Sequence, residues 1–393
     1  MDPKEKLSSS AKMIILACKE NLTDVEIKTL RNDVTEAIAQ QALEETSMFA
    51  YEQGIYPHFF HALMKHASDI LEGEMKEALA YIAYDIRVKN EAMRDELLFL
   101  AKSLKALDIE VMPFKGPVLA KMLYDDVSLR QFCDLDLLIR KEDIARVALF
   151  LDRAGYQKSL PMSQVQEELL KKTKHDTGYI HTEKGIYIEV HWALLDENYP
   201  LRLDVDDFWQ KQQTVNVAGY AMPTFSTENM LYFLCIHGSK HLWEKIEWLK
   251  DIDILIRNEN IVWDDLIEKA DHGGFERMVY LGLTLTSQLF ETPLPQAIKQ
   301  RLSECTELDD LTDFVMRYLH SRPDVFVRNK MMLRLFVAPK TKLLYLHNSV
   351  FKPSILDLAI MDLPKYLYWV YYFLRVSRLT RKYLPSYKSL LAD

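Results

Sequence analysis

The sequence predicts an α+β fold in which a short strand-bearing core lies between two helical regions. Glycine is scarce, with 11 residues in a chain of 393, against a usual share of about 7%, and this favours helices over short strands and tight turns. Apolar residues recur at helical spacing over residues 11–106, and this spacing changes near Ile109. Helical patterns resume after a last strand near Val215 and continue almost to the end of the chain.

The composition is that of an ordinary globular protein, with 49% hydrophobic and 27% charged residues. The four cysteines, Cys18, Cys133, Cys235 and Cys305, lie far apart and contain no Cys-x-x-Cys pair. This spacing suggests neither a disulfide framework nor a zinc ribbon, and a reducing cytoplasm is the expected location. The formal net charge is −9 and no block of five basic residues occurs, so we expect no extended nucleic-acid surface.

No membrane-spanning segment is expected. The apolar stretch of residues 13–18 is too short for the core of a signal peptide or for a membrane span. Residues 363–374 are rich in Tyr, Trp and Leu and precede four basic residues, which resembles a membrane-surface helix. Asp357, Asp362 and Lys365 interrupt this apolar pattern, and we therefore favour a packed C-terminal helix.

Three segments follow from the pattern: a helical region at 1–107, an α/β core at 108–222 and a helical region at 223–393. In the core, residues 109–114 are predicted as a strand that leads into a helix from Pro117, because proline is tolerated in the first helical turn. Residues 132–139 form a second predicted strand, and 142–154 a helix that ends at Gly155. Two alternating runs within 175–192 predict a hairpin.

Asp134 and Asp136 are one residue apart on a predicted strand, so both carboxylates lie on the same side. Their mutual repulsion requires compensation, and magnesium shared with substrate phosphates is the commonest solution. The simpler alternative is an exposed acidic strand face. Glu189 lies on a second predicted strand whose apolar neighbours face the core, and three such acids could hold two metal ions.

Other polar residues surround this pattern. Lys115 and Gly116 end a strand before a helix, where glycine lets a phosphate approach the backbone and lysine adds charge. His191 shares a strand face with Glu189 and could orient the carboxylate, contact a nucleotide or act as a base. His237 and His241 have a helical spacing that permits metal binding, but without the intervening Glu a helix face that closes over a phosphate or base, with Lys240 nearby, is favoured.

Several motifs occur in a characteristic order. They read KGPVLAKMLY, RQFCDLDLLI and FLDRAGY within residues 115–156, then IEVHW at 188–192, then HGSKH at 237–241, Trp248 and DID at 251–253. In this combination the chain resembles the uncharacterised nucleotidyltransferase family of the polymerase-β-like nucleotidyltransferase superfamily. The resemblance covers the middle of the chain and leaves roughly the first and last hundred residues weakly covered.

The resemblance implies a small mixed sheet flanked by helices and three metal-binding carboxylates, Asp134, Asp136 and Glu189. It implies transfer of a nucleoside monophosphate (NMP) from a nucleoside triphosphate (NTP) with Mg²⁺ or Mn²⁺. Arg130 matches the family's arginine and is expected to bind a phosphate or an acceptor group. The wider superfamily has Gly-Ser or Gly-Gly where this chain has Lys-Gly-Pro, so Lys115 is expected to replace a serine in binding the triphosphate.

Three functions are compatible with these residues. The first is NMP transfer to a small-molecule or peptide acceptor, by analogy in natural-product tailoring. The second uses the same metal site to transfer a sugar from an NDP-sugar to a peptide or phosphorylated acceptor. The third is a non-catalytic nucleotide-binding module. Released pyrophosphate would indicate the first, released NDP the second, and nucleotide binding without turnover the third.

Overall fold

The structure is a computed structural model that describes residues 6–319 and 323–390. Its helices are α1 (Ser9–Ala17), α2 (Asp24–Ala39), α3 (Leu43–Glu52), α4 (Tyr56–His66), α5 (Gly73–Ala106), α6 (Gly116–Tyr124), α7 (Ile144–Arg153), α8 (Gln164–Thr173), α9 (Val205–Gln210), α10 (Thr227–Lys240), α11 (Ile246–Asn258), α12 (Trp263–Gly273), α13 (Glu276–Phe290), α14 (Gln296–Glu304), α15 (Glu307–Tyr318), α16 (Val325–Leu335), α17 (Pro339–Phe351), α18 (Ile355–Leu358) and α19 (Val370–Leu390). Its strands are β1 (Val111–Pro113), β2 (Asp134–Ile139), β3 (Tyr156–Lys158), β4 (Asp176–His181), β5 (Tyr187–His191), β6 (Gln212–Val217) and β7 (Tyr220–Phe225). The predicted α+β class is confirmed.

Five strands form a mixed sheet in the order β1-β2-β5-β4-β3. Within it β3 pairs with β4 and β4 with β5, both antiparallel. Strands β6 and β7 form a separate antiparallel hairpin. The strand that carries Asp134 and Asp136 is therefore the sheet neighbour of the strand that carries Glu189.

Local sequence signals account for several elements. Thr23 caps α2 in a capping box with Glu26, and Ser226 caps α10 through a bond from the amide of Asn229. The predicted hairpin is formed by β4 and β5, and Gly185 lies in its turn with φ at +66°. Strand β7 was not predicted, and its Pro223 argues against a strand. Both strands of a two-stranded sheet are edge strands, and a proline is tolerated there.

The chain divides into two compact units. The first unit contains Met1–Leu137 and Asp206–Leu335, and the second contains Leu138–Val205 and Phe336–Asp393. This division falls inside β2. The three segments inferred from the sequence differ from these two units, because they follow the order of helices and strands along the chain. That each segment is a functional domain stays a proposal.

An aromatic cluster forms part of the core of the first unit. Phe114, which follows β1, stacks on Phe225 of β7 with ring centroids 4.9 Å apart, and meets Phe233 of α10 edge-on at 5.2 Å. Phe208 of α9 meets Phe225 at 4.7 Å. All four rings are buried, and aromatic pairs in such geometry stabilise a core beyond the area they bury. This cluster fixes the end of β1, next to Lys115, the residue that precedes α6.

In the second unit, α7 buries Val147 and Leu151, and β3 buries Tyr156.

The four cysteine side chains of the chain are all free thiols. Among the residues that the structure describes, no helix is long and apolar enough to cross a membrane.

Candidate functional site

Asp136 is a buried carboxylate in the middle of a strand. It is 1% exposed, whereas Asp134 at the start of β2 is half-buried. A strand alternates its side chains, so the two acids lie on one face as predicted. Lys115 Nζ donates to Asp136 Oδ1 at 2.9 Å, and a buried charge of this kind needs such a partner. The structure thus brings together two of the predicted site residues of the first unit.

Gly116 has a backbone conformation that favours glycine. Its φ is +56°, and a Cβ at this position would lie 3.2 Å from the carbonyl oxygen of Asp134. The amide of Phe114 donates to the carbonyl of Asp136 at 3.4 Å, which joins the end of β1 to β2. The Lys115-Gly116 turn therefore lies directly against the strand that carries the two acids.

We predict that Gly116→Ala lowers the free energy of unfolding by about 1–2 kcal/mol, because an L-residue is strained at positive φ. Gly73→Ala is the matched control, since Gly73 begins α5 with open space around its Cβ position. Urea denaturation of both variants measures the difference. Equal stability of Gly116→Ala and Gly73→Ala would show that the turn relaxes without strain.

Arg130 lies in a buried ion pair. Its Nε lies 3.1 Å from both carboxylate oxygens of Asp251, and its Nη2 donates to Oδ2 at 3.0 Å. Glu247 Oε1 is 3.6 Å away from the same guanidinium. Arg130 is 4% exposed and Asp251 is fully buried. The predicted phosphate or acceptor contact of Arg130 stays a prediction, and the contacts observed are those of a residue that positions its own segment.

Asn90 of α5 holds the same segment from the other side. Its Nδ2 donates to the carbonyl oxygens of Val127 and Arg130, each at 2.7 Å, and Asn90 is 1% exposed. The segment before Asp134 is thus fixed by a side chain from α5 and by the ion pair to α11. Neither contact was predicted, because partners 40 and 121 residues away leave no periodic signal in the sequence.

Burial dominates the acid–base properties of this cluster. It raises the pKa of Glu247 to about 7, although the positive charge of Arg130 acts in the opposite direction. It also raises the pKa of Asp251, against the charge and hydrogen bonds of Arg130. Desolvation of the charged form explains both directions. The guanidinium of Arg130 is therefore the main group that stabilises the charged forms of Glu247 and Asp251.

His237, His241 and Trp248 form a ring cluster between α10 and α11. The ring centroids of His237 and His241 are 4.7 Å apart, and Trp248 lies 5.0 Å from His237 in an edge-on arrangement. Burial lowers the pKa of His237 well below its ordinary value, and the charges of Lys115 and His241 lower it further. A neutral, half-buried imidazole beside an indole suits contact with a flat apolar group. Contact of this helix face with a phosphate or base stays a prediction.

The low pKa of His237 makes stability depend on pH. The unfolded chain takes up this proton near pH 6.5 while the folded chain does not, so stability is full above that pH and falls as the pH drops towards the folded pKa. Between about pH 7.5 and about pH 5.5 the wild type should lose on the order of 1 kcal/mol more than His237→Gln. Chemical denaturation at both pH values tests this, and equal losses would contradict it.

Glu189 and His191 lie on β5 in the second unit. Glu189 is half-buried and pairs with Gly178 of β4, and His191 pairs with Asp176. His191 Nε2 lies 3.4 Å from Glu189 Oε2. The three roles considered for His191, which are orienting the carboxylate, contacting a nucleotide and acting as a base, stay predictions. The flanking Ile188 and Val190 are buried, as the predicted alternation requires.

A second polar group lies beside this strand. The ligand atoms of His175, Asp176 and Asp196 all lie within 4.8 Å of one another, and His175 Nδ1 lies 2.6 Å from Asp196 Oδ1. Burial raises the pKa of Asp196, but the hydrogen bond and charge of His175 outweigh it and lower the pKa below its ordinary range. The rings of His175 and His191 are 5.5 Å apart. This group was not predicted, because Asp196 lies 21 residues after His175 and no local pattern records their contact.

These residues belong to a nucleotide-transferring class of protein. The family model described as "Uncharacterised nucleotidyltransferase" matches residues 43–291, which is well over half of the chain. The protein belongs to this family, and the family predicted from the motifs is confirmed. It is a transferase of nucleotidyltransferase type, and membership supports NMP transfer in general.

Two solved structures show a weaker similarity. One is a lincosamide antibiotic adenylyltransferase with bound lincomycin, at 16% identity and a TM-score of 0.27, over 41% of this chain and 94% of that chain. The other is an antigenic nucleotidyltransferase-like protein from Paracoccidioides brasiliensis, at 15% identity and a TM-score of 0.32, over 53% of this chain and 96% of that chain. Comparison with curated proteins gives no significant match.

Proposed function

We propose that the protein transfers an NMP group from an NTP to a small-molecule or peptide acceptor, with Mg²⁺ or Mn²⁺ bound by Asp134, Asp136 and Glu189. The observation that carries the proposal is the buried carboxylate of Asp136, to which Lys115 donates a hydrogen bond at 2.9 Å. A buried acid in a family of nucleotidyltransferases is expected where cations and phosphates meet.

The donor chemistry fits a divalent ion. Asp136 and Glu189 supply carboxylates and His191 an imidazole, which are donor types that bind divalent ions. Lys115 contacts one oxygen of Asp136, and a carboxylate has two oxygens with about four lone-pair sites. When bound, the ion supplies charge neutralisation at the phosphates and orients the displacement. In the proposal Asp134 adds a third carboxylate from the same face of β2.

Lys115 has a direct role in this proposal. Its side chain is 16% exposed, and its ammonium group contacts Asp136 on β2, so a triphosphate placed there would meet a positive charge. Gly116 has no side chain, so a phosphate can approach its backbone. Pro117 has no N–H and therefore cannot donate to that phosphate. Lys115 thus takes the part that a serine has in the wider superfamily.

Two further groups complete the donor side of the proposal. The ring cluster of His237, His241 and Trp248 offers a flat surface for the base, and Lys240 of the same helix adds charge near the phosphates. Arg130 acts by holding the segment that precedes Asp134, because Asp251 binds its guanidinium. A phosphate would have to bind to those N–H groups of Arg130 that do not donate to Asp251.

A cavity in the second unit suits the acceptor. Its volume is about 190 Å³, and its lining includes Lys158, Lys171 and Tyr187. It also includes Gly178, which pairs directly with Glu189. The volume lies below the roughly 300–1,000 Å³ of sites that enclose a drug-sized ligand. A small acceptor, or one side chain of a peptide, fits such a space, and natural-product tailoring remains part of the proposal.

A product assay tests the function. The purified protein is incubated with Mg²⁺, each common NTP or NDP-sugar in turn, and a panel of hydroxyl- and amine-bearing acceptors that includes peptides. The proposal expects pyrophosphate release together with an acceptor that gains the mass of an NMP group. NDP release from NDP-sugars would replace it with glycosyl transfer. Nucleotide binding without turnover across the panel would support the non-catalytic module.

A further inference from the structure

The last helix of the second unit is oriented by a buried acid. Asp357 is fully buried and accepts a hydrogen bond from Arg378 Nε at 2.6 Å, with Arg375 Nη1 at 3.4 Å. Tyr371 is also fully buried, and its hydroxyl donates to the carbonyl of Met361 at 2.7 Å. The inward side of α19 is therefore held by polar contacts, and burying these charges without their partners would be costly.

As a consequence, the aromatic side of this helix faces outward. We call the group formed by Tyr366, Trp369, Tyr372, Phe373 and Val376 the aromatic face. Trp369 is 58% and Phe373 67% exposed, and their rings meet edge-on at 5.8 Å. Tyr372, Phe373 and Val376 lie on one face of α19, and Trp369 immediately precedes the helix. Such an apolar stripe normally packs against a core. The packed helix favoured from the sequence is thus anchored by its arginines and leaves this stripe uncovered.

The surrounding region concentrates further apolar surface. About half of the exposed large hydrophobic side chains among the described residues lie between Val337 and Val376. They include Leu343 and Phe351 of α17, 70% and 47% exposed. Isolated exposed apolar residues are common on proteins, but a continuous patch marks an interaction surface.

The charge of this region distinguishes between two candidate partners, a second copy of the chain and a lipid surface. Residues 336–383 contain eight Lys or Arg and two Asp, although the whole chain carries a net charge of −9. Lys365, Arg381 and Lys382 are exposed and lie close in sequence to the residues of the aromatic face. A second copy of the chain would bring like charges together, whereas an anionic lipid surface attracts basic residues and accommodates Trp and Tyr at the headgroup level.

We propose that the aromatic face binds the surface of an anionic lipid bilayer, with the aromatic side chains at the headgroup level and the basic residues on lipid phosphates. This peripheral binding site is independent of the proposed transfer reaction. It would place the second unit against a membrane.

Vesicle co-sedimentation tests the proposal on the full chain. One vesicle population contains phosphatidylcholine alone and the other contains equal amounts of phosphatidylcholine and phosphatidylserine. The wild type should sediment with the anionic vesicles, less at high salt, and little with phosphatidylcholine alone. A double variant, Trp369→Ser with Phe373→Ser, should bind at least about tenfold more weakly, since burial of each aromatic ring favours binding.

The matched control is Tyr81→Ser with Tyr84→Ser, two residues of α5 that are 71% and 65% exposed; it should bind as the wild type does. Circular dichroism verifies that both double variants are folded. Wild-type protein that stays in the supernatant with anionic vesicles at low salt, or equal binding by both double variants, would overturn the proposal. A dimer that the Trp369→Ser, Phe373→Ser variant loses, without lipid binding by the wild type, would identify a self-association surface instead.

Discussion

Replacement of Asp136 by Asn should abolish nucleotidyl transfer while the chain stays folded. The substitution keeps the shape of the side chain but removes the charge that faces Lys115 and that we assign to the metal. Loss of a metal ligand removes several kcal/mol of transition-state stabilisation, so turnover should fall by at least about a hundredfold. Pyrophosphate release at saturating Mg²⁺ measures the effect, and Asp134→Asn should behave in the same way.

Asp95→Asn is the control for this experiment, because Asp95 lies on α5 with a side chain that is 66% exposed. It removes the same charge and should leave turnover unchanged. Thermal unfolding shows whether Asp136→Asn is folded. Near-normal turnover in Asp136→Asn that still requires Mg²⁺ would remove Asp136 from the metal site.

Arg130→Met should lower the free energy of unfolding by about 3–5 kcal/mol, the usual effect of breaking one side of a buried ion pair. Methionine occupies similar space, but it leaves the carboxylate of Asp251 buried without the guanidinium that binds both of its oxygens. Equilibrium unfolding in urea measures the change. The double variant Arg130→Met, Asp251→Asn should recover part of the loss, because it removes the uncompensated charge as well.

Arg87→Met is the matched control for Arg130→Met. Arg87 pairs with Glu91 on the surface of α5, and its side chain is 64% exposed. Exposed pairs of this kind contribute about 0–1 kcal/mol, so this variant should be close to the wild type in stability. If both variants lost the same small amount, the Arg130–Asp251 pair would have no special role in holding the segment before Asp134.

Local pattern predicted much of this fold. Alternation at residues 132–139 and 186–192 located β2 and β5 and gave the side on which Asp134 and Asp136 lie, because a strand period of two is visible in the sequence. The turn at Lys115 and the start of α6 were also visible, since Gly116 and Pro117 constrain the backbone by themselves.

Other features depend on contacts that no local pattern records. Arg130 was predicted to bind a phosphate or acceptor, and its pairing with Asp251 was not expected, because the partner lies on a helix far along the chain. The periodicity of α19 shows that the helix is amphipathic but not which side faces inward. Its orientation follows from Asp357, whose burial with Arg375 and Arg378 is a tertiary effect.

The proposed function requires that carboxylates from β2 and β5 bind metal together. Its most direct test is Mn²⁺ binding by isothermal titration in the presence of a non-hydrolysable NTP analogue. The proposal predicts that Asp136→Asn and Glu189→Gln each weaken Mn²⁺ binding by at least about tenfold, while Glu183→Gln, at an exposed position in the β4–β5 turn, binds as the wild type does. Unchanged Mn²⁺ affinity in Glu189→Gln would contradict a shared site.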